Sequence, residues 1–203
     1  MEKKGSWDYL KAFDKELKPI HPEILDMIEY IDGLSEKSIY KSNVLEIGFG
    51  TGHKSIELSK LFDNYYGIEP DSGLYKIFEK LCEKSDCKIK SFNMNLDDFV
   101  EKTDLKFDLV ILENVIHFIN FEDFFRDIKK ILNPGGYVLI KNAKARPIGW
   151  GNKEFCKDSE QFNEIKWIKF RDALKKTFEK LDNSEYLINK KSTNTSNYFV
   201  LKI

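Results

Sequence analysis

The chain has 203 residues, the size of one ordinary domain, and its 41% hydrophobic and 14% aromatic content is enough to bury a core, which excludes wholesale disorder. Its 33 Lys and Arg nearly cancel its 34 Asp and Glu, so it lacks the basic surplus on which bulk phosphate binding depends. With Arg126, Arg146 and Arg171 its only arginines, it is also short of the planar fork that reads guanine edges, so nucleic acid is not the expected partner. Three cysteines, Cys82, Cys87 and Cys156, cannot close a disulfide framework among themselves, and none has the partners of a metal site. Reduced thiols, no metal, no membrane span and a cytoplasmic location are the expectations.

Along the chain, Ile24, Leu25, Ile28 and Ile31 recur at helical spacing after Pro22, which suits a first helical turn. Short apolar runs then alternate with amphipathic segments. Asn43–Ile47 reads as a buried strand running into glycines, and Tyr65–Glu69 as a second, stopped by Pro70. Asp71 caps a helix burying Leu74, Ile77, Phe78 and Leu81. Lys88–Met94 is a more polar third strand, and Phe107–Leu112 is the most apolar run of all. Asn120 precedes a helix whose acids fall in the first turn and whose stripe is Phe121, Phe124, Phe125, Ile128, Ile131 and Leu132. The sharp turn Asn133–Gly136 leads into the strand Tyr137–Ile140. This alternation predicts a doubly wound α/β fold, a mostly parallel sheet with helices on both faces. After a stretch without clean period, a helix carries Trp167, Ile168, Phe170, Leu174, Phe178 and Leu181. Runs around Tyr186–Ile188 and Tyr198–Ile203 close the chain as an antiparallel pair. No repeat or linker divides the chain, so residues 1–203 read as a single domain: an N-terminal helical lid (1–40), a core (41–142), and a substrate-side loop, helix and terminal strands (143–203).

The strongest chemical signal is Glu46-Ile47-Gly48-Phe49-Gly50-Thr51-Gly52. Three glycines at alternating positions leave a strand and open a helix, so bare backbone can approach a ligand at the carboxyl edge of a parallel sheet. A dinucleotide fingerprint would require glycine at position 53, which is His53, and no phosphate P-loop begins here. The turn therefore suits a nucleoside without a pyrophosphate, the plain alternative being a tight strand-to-helix turn. Glu69 ends the next strand at about the 20-residue offset of an acid that holds a ribose diol. A solvated strand-end acid is the competing reading of Glu69 alone.

Residues 40–142 carry four motifs in order that resemble the class I S-adenosylmethionine-dependent methyltransferases. These are Val44–Gly52, Glu69, Phe107–Ile111 through Val115-Ile116-His117, and Leu132–Ile140. The resemblance implies a Rossmann-like, seven-stranded sheet with an antiparallel last strand, and S-adenosyl-L-methionine as cofactor. It implies that Gly48, Gly50, Thr51 and Gly52 line the amino-acid and ribose parts, that Glu46 reaches the methionyl amino group, and that Glu69 binds the ribose. Asn95 and Leu96 would flank adenine, with Asn95 standing where the family usually has an acid. Glu113 would offer its backbone carbonyl beside the sulfonium.

The acceptor side is thinner. His117, just beyond the fourth strand, is the candidate general base, since its side chain titrates near neutrality. Trp7 and Tyr9 are candidates to fold over the cofactor, Trp150 to roof the acceptor pocket and Arg146 to clamp a carboxylate. His21 carries no constellation, and no hydrolase triad is supported. Adenine-modifying families place an Asn/Asp-Pro-Pro-aromatic run where this chain has Glu113-Asn114-Val115-Ile116, which disfavours base methylation. The expected function is methyl transfer to an O or N atom of a small molecule. The alternatives are a catalytically inactive binding partner of the same fold and an RNA or protein methyltransferase.

Overall fold

The computed structural model describes residues 20–144, 164–194 and 196–203. Five parallel strands come first along the chain: β1 (Asn43–Ile47), β2 (Asn64–Ile68), β3 (Ile89–Phe92), β4 (Phe107–Glu113) and β5 (Leu132–Ala143). β6 (Leu187–Ser192) and β7 (Ser196–Lys202) complete a seven-stranded sheet in the order β3-β2-β1-β4-β5-β7-β6. β7 inserts between β5 and β6 and runs antiparallel to both, so the expected terminal pair forms with its second strand inside the sheet. The order reverses between β1 and β4, the switch point at which the loops above the strands part and leave a crevice.

The helices cover both faces. α1 (Pro22–Leu34) carries Ile24, Met27, Ile28 and Ile31 onto Val44, Tyr65, Leu109, Ile111 and Leu139, together with Leu58 from the short α2 (Ser55–Ser59). This helix is part of the core. α3 (Ser72–Cys82) contributes Phe78 to a small cluster with Phe49 and Ile56 beneath the glycine turn. The opposite face is packed by α4 (Leu96–Lys102), α5 (Phe121–Ile131) and α6 (Glu164–Asp182) through Phe99, Phe124, Ile128, Ile131 and Leu181. Asp71 accepts from the N–H groups of Gly73 and Leu74, and Asn120 from those of Glu122 and Asp123, as their positions ahead of the apolar stripes require. No helix among the described residues is long and apolar enough to cross a membrane.

Two features depart from the sequence reading. Asn133–Gly136 is not a turn ahead of the fifth strand. Leu132 already pairs with Phe107, and the glycine stretch bulges before Tyr137 pairs with Leu109. The bulge is held from the chain's end, where Gly135 N–H donates to the Ile203 carbonyl and Ile203 N–H to that of Gly136, each at 3.0 Å. Second, Cys82 and Cys87 are joined by a disulfide, where reduced thiols are the sequence expectation. The end of α3 and the approach to β3 bring their Cα atoms to 5.0 Å, within the span a disulfide bridges.

Candidate active site

The site is assembled at the carboxyl edge of β1, β2 and β4. After Ile47 the chain turns through Gly48, Gly50 and Gly52 at φ of +72°, +61° and +74°. Gly48 N–H donates to the Ile68 carbonyl at 2.8 Å, which ties the turn to β2. Gly50 and Gly52 need glycine for different reasons. A Cβ on Gly52 would lie 2.3 Å from the Phe78 ring, so that glycine admits close packing. A Cβ on Gly50 would meet no heavy atom within 4 Å, so its bare backbone faces open space that a ligand can fill. Thr51 and His53 are buried beside it, Thr51 Oγ1 lying 2.8 Å from His53 Nδ1.

Glu69 follows β2 and comes directly against this turn. Its carboxylate accepts the Gly50 N–H at 2.8 Å through one oxygen and the Asp71 N–H at 2.8 Å through the other. Burial raises its pKa, against the pull of those two donors. Each oxygen keeps a free lone pair, so the group can still take hydrogen bonds from a diol. Acid and bare backbone thus share one side of the crevice.

Glu46 projects on the α1 face of the sheet and is buried. It accepts a 2.9 Å hydrogen bond from the Tyr65 hydroxyl, and burial pushes its pKa up to about 7 against the Ser55 and Tyr65 hydrogen bonds. The folded state therefore holds a proton here that the unfolded chain releases near its ordinary value. This contribution to stability is complete at pH below about 4.5 and falls as pH rises towards 7, by about 3 kcal/mol in all. In urea unfolding, Glu46→Gln should gain stability relative to the wild type between pH 5 and pH 8. A difference independent of pH would refute the raised pKa.

Asn95 caps α4, its side chain accepting the Asp98 N–H at 2.8 Å, and Leu96 is buried behind it. Glu113 ends β4 and contributes more than a backbone carbonyl. Its register partner on β5 is Lys141, which donates to Glu113 Oε1 at 2.7 Å, and Lys54 donates to the same oxygen. The two ammoniums hold the Glu113 carboxyl below its usual range despite burial. Asn114 next to it adopts φ +58° and is fixed by accepting the Ala143 N–H at 2.7 Å. His21 stands at the N-cap of α1, where the charges of Lys54, Lys141 and Glu113 act on it. Burial and then the two lysines lower its pKa. Lys54 escaped the sequence reading, and the pairing of Lys141 with Glu113 was not foreseen. The available signal was the charged residue ending each of the two adjacent apolar runs, Glu113 and Lys141. His117 lies in the 3₁₀ turn Ile116–Phe118 beyond β4, with only its backbone described. Trp7, Tyr9, Arg146 and Trp150 lie outside the described residues.

A switch-point crevice bordered by a glycine turn and a buried acid places this chain among the open-sheet α/β domains that bind ligands at the carboxyl ends of their strands. Residues 45–140 match the family model described as "Methyltransferase domain". The chain is 32% identical over 108 residues to the hybrid PKS-NRPS synthetase fsa1 of Fusarium sp., a match covering 49% of this chain and 3% of that protein. It is 30% identical over 98 residues to the Saccharomyces cerevisiae protein named "Probable S-adenosylmethionine-dependent methyltransferase CRG1", covering 47% of this chain and 34% of that one. The chain thus spans only a small part of the length of these relatives. The fold resembles that of a SAM dependent methyltransferase from Aquifex aeolicus, with TM-score 0.60 and 13% identity over 97% of this chain and 93% of that one. Just under half of the chain thus matches a methyltransferase domain, and the fold is the one S-adenosylmethionine-dependent methyltransferases share.

Proposed function

We propose that the chain transfers a methyl group by in-line displacement to an oxygen or nitrogen atom of a small-molecule acceptor. The observation that carries this reading is the open backbone at Gly50 joined to the Glu69 carboxylate at 2.8 Å. When bound, S-adenosylmethionine supplies a sulfonium methyl that is already electrophilic. The chain then has to position it, exclude water and, for an acidic acceptor, remove a proton.

In this reading Glu69 holds the ribose diol, and Gly48, Gly50, Thr51 and Gly52 line the ribose and amino-acid parts. Asn95 and Leu96 flank the adenine. Glu46 faces the methionyl amino group, and the Glu113 carbonyl lies beside the sulfonium. His117 takes the acceptor proton, while Trp7, Tyr9, Arg146 and Trp150 shape the acceptor pocket. The likeness to a hybrid PKS-NRPS synthetase supports a biosynthetic small molecule over a macromolecule.

The test is a transfer assay with methyl-labelled cofactor against phenols, carboxylic acids and amines. Label should move to a small acceptor, and His117→Ala should slow transfer by about 10²–10⁴-fold while leaving S-adenosylhomocysteine affinity unchanged. Binding of S-adenosylhomocysteine without transfer to any acceptor would favour an inactive binding partner. Label recovered in RNA or protein would replace the small-molecule reading.

A further inference from the structure

Lys141 is an unusual residue for the end of a core strand. It is 5% exposed, and its ammonium makes one hydrogen bond to described residues, at 2.7 Å to Glu113 Oε1. Lys54, whose side chain is 33% exposed, donates to that same oxygen. Two cations therefore share one carboxylate oxygen, leaving a formal surplus of one positive charge. Lys54 can satisfy its remaining donors with water, but the buried Lys141 cannot do so without cost.

Among the described residues, no other group pairs directly with either ammonium. Glu46 from β1 is pushed up to about 7 and is bound to Tyr65 of β2. Glu23 on α1 lies within electrostatic range of Lys141 but makes no ion pair with it. Tyr198 of β7, the register partner of Lys141, has its phenol pKa raised by burial and stays neutral. His21 has its pKa lowered, first by burial and then by both lysines, so its imidazole reports the positive field and adds no charge of its own.

The geometry points to a carboxylate-binding site formed by Lys54 and Lys141 at the ends of the glycine turn and β5, with Glu113 holding the two ammoniums in place. The site deepens the methyltransferase reading and rests on it, because it adjoins the crevice in which the nucleoside is placed. A carboxylate can arrive there from the amino-acid end of the cofactor or from an acidic acceptor. Both would make the same charge-assisted hydrogen bonds to the spare N–H donors.

Calorimetry with S-adenosylhomocysteine and 5′-methylthioadenosine, which lacks the amino-acid carboxylate, separates the sources. If the cofactor supplies the group, Lys141→Met weakens S-adenosylhomocysteine at least about tenfold and leaves methylthioadenosine unchanged. If an acceptor supplies it, both nucleosides bind the variant as they bind the wild type. Benzoate, titrated with and without S-adenosylhomocysteine, then raises the melting temperature of the wild type and not of the variant. Should Lys141→Met not fold, Lys54→Met is read in the same way, and Lys141→Arg should retain the wild-type pattern. Variants that bind all three probes as the wild type does would overturn the site and leave the ammoniums a purely structural role. Failure of the wild type to bind methylthioadenosine would instead strike at the nucleoside reading, with the benzoate arm still reporting on the lysines.

Discussion

Glu69→Ala should weaken S-adenosylhomocysteine binding at least about a hundredfold while the protein stays folded. The carboxylate would lose two hydrogen bonds from the ribose diol, each to a charged acceptor and worth about 1.5–3 kcal/mol. It would also lose its hold on the turn, since Gly50 N–H and Asp71 N–H both rest on this side chain. The fold tolerates the change because the side chain stands beyond the end of β2, outside the apolar clusters of the core, and burial already disfavours its charge. Glu69→Gln keeps one acceptor oxygen and should fall between the two. Titration calorimetry checks affinity and circular dichroism the fold. Undiminished affinity in the alanine variant would remove Glu69 from the cofactor site.

The second large effect separates two glycines that look equivalent in the motif. Gly52→Ala drives a methyl group to 2.3 Å from Phe78, whose ring packs 4.5 Å from that of Phe49 and is itself buried. Overpacking at about 1–3 kcal/mol and left-handed strain at about 1–2 kcal/mol add up, so the melting temperature should fall by roughly 10 °C. Gly50→Ala bears only the strain, because nothing stands within 4 Å of the new methyl, and should cost a few degrees at most. Yet the methyl fills the space at which the nucleoside must approach, so affinity for S-adenosylhomocysteine should drop at least about tenfold. Thermal melts of both variants, with and without S-adenosylhomocysteine, check the pair. Gly50→Ala binding like the wild type would mean that the open space is not the cofactor's.

The two variants also show why a motif is less informative than its setting. Gly50 and Gly52 carry the same letter and nearly the same φ, but one borders Phe78 and the other borders empty space. Only the packing of α3 against the turn tells them apart.

Local patterns were enough for much of the fold. Apolar runs place β1, β2 and β4 to within a residue or so, Asp71 and Asn120 mark helix starts, and the glycine turn with Glu69 locates the crevice. These signals are legible because each depends on neighbours in sequence: strand alternation, a side chain reaching the second or third N–H ahead, a backbone angle that glycine alone adopts cheaply. The site's charges were not legible in that way. Lys141 reads as one lysine among many until the register of β4 and β5 sets it opposite Glu113, and until α1 and β7 exclude water from it. The position of β7 inside the sheet, the bulge at Asn133–Gly136 held by Ile203, and the Cys82–Cys87 bridge have the same character. Each joins residues whose meeting depends on how whole elements pack, and the energy that selects that packing is spread over contacts distant in the chain.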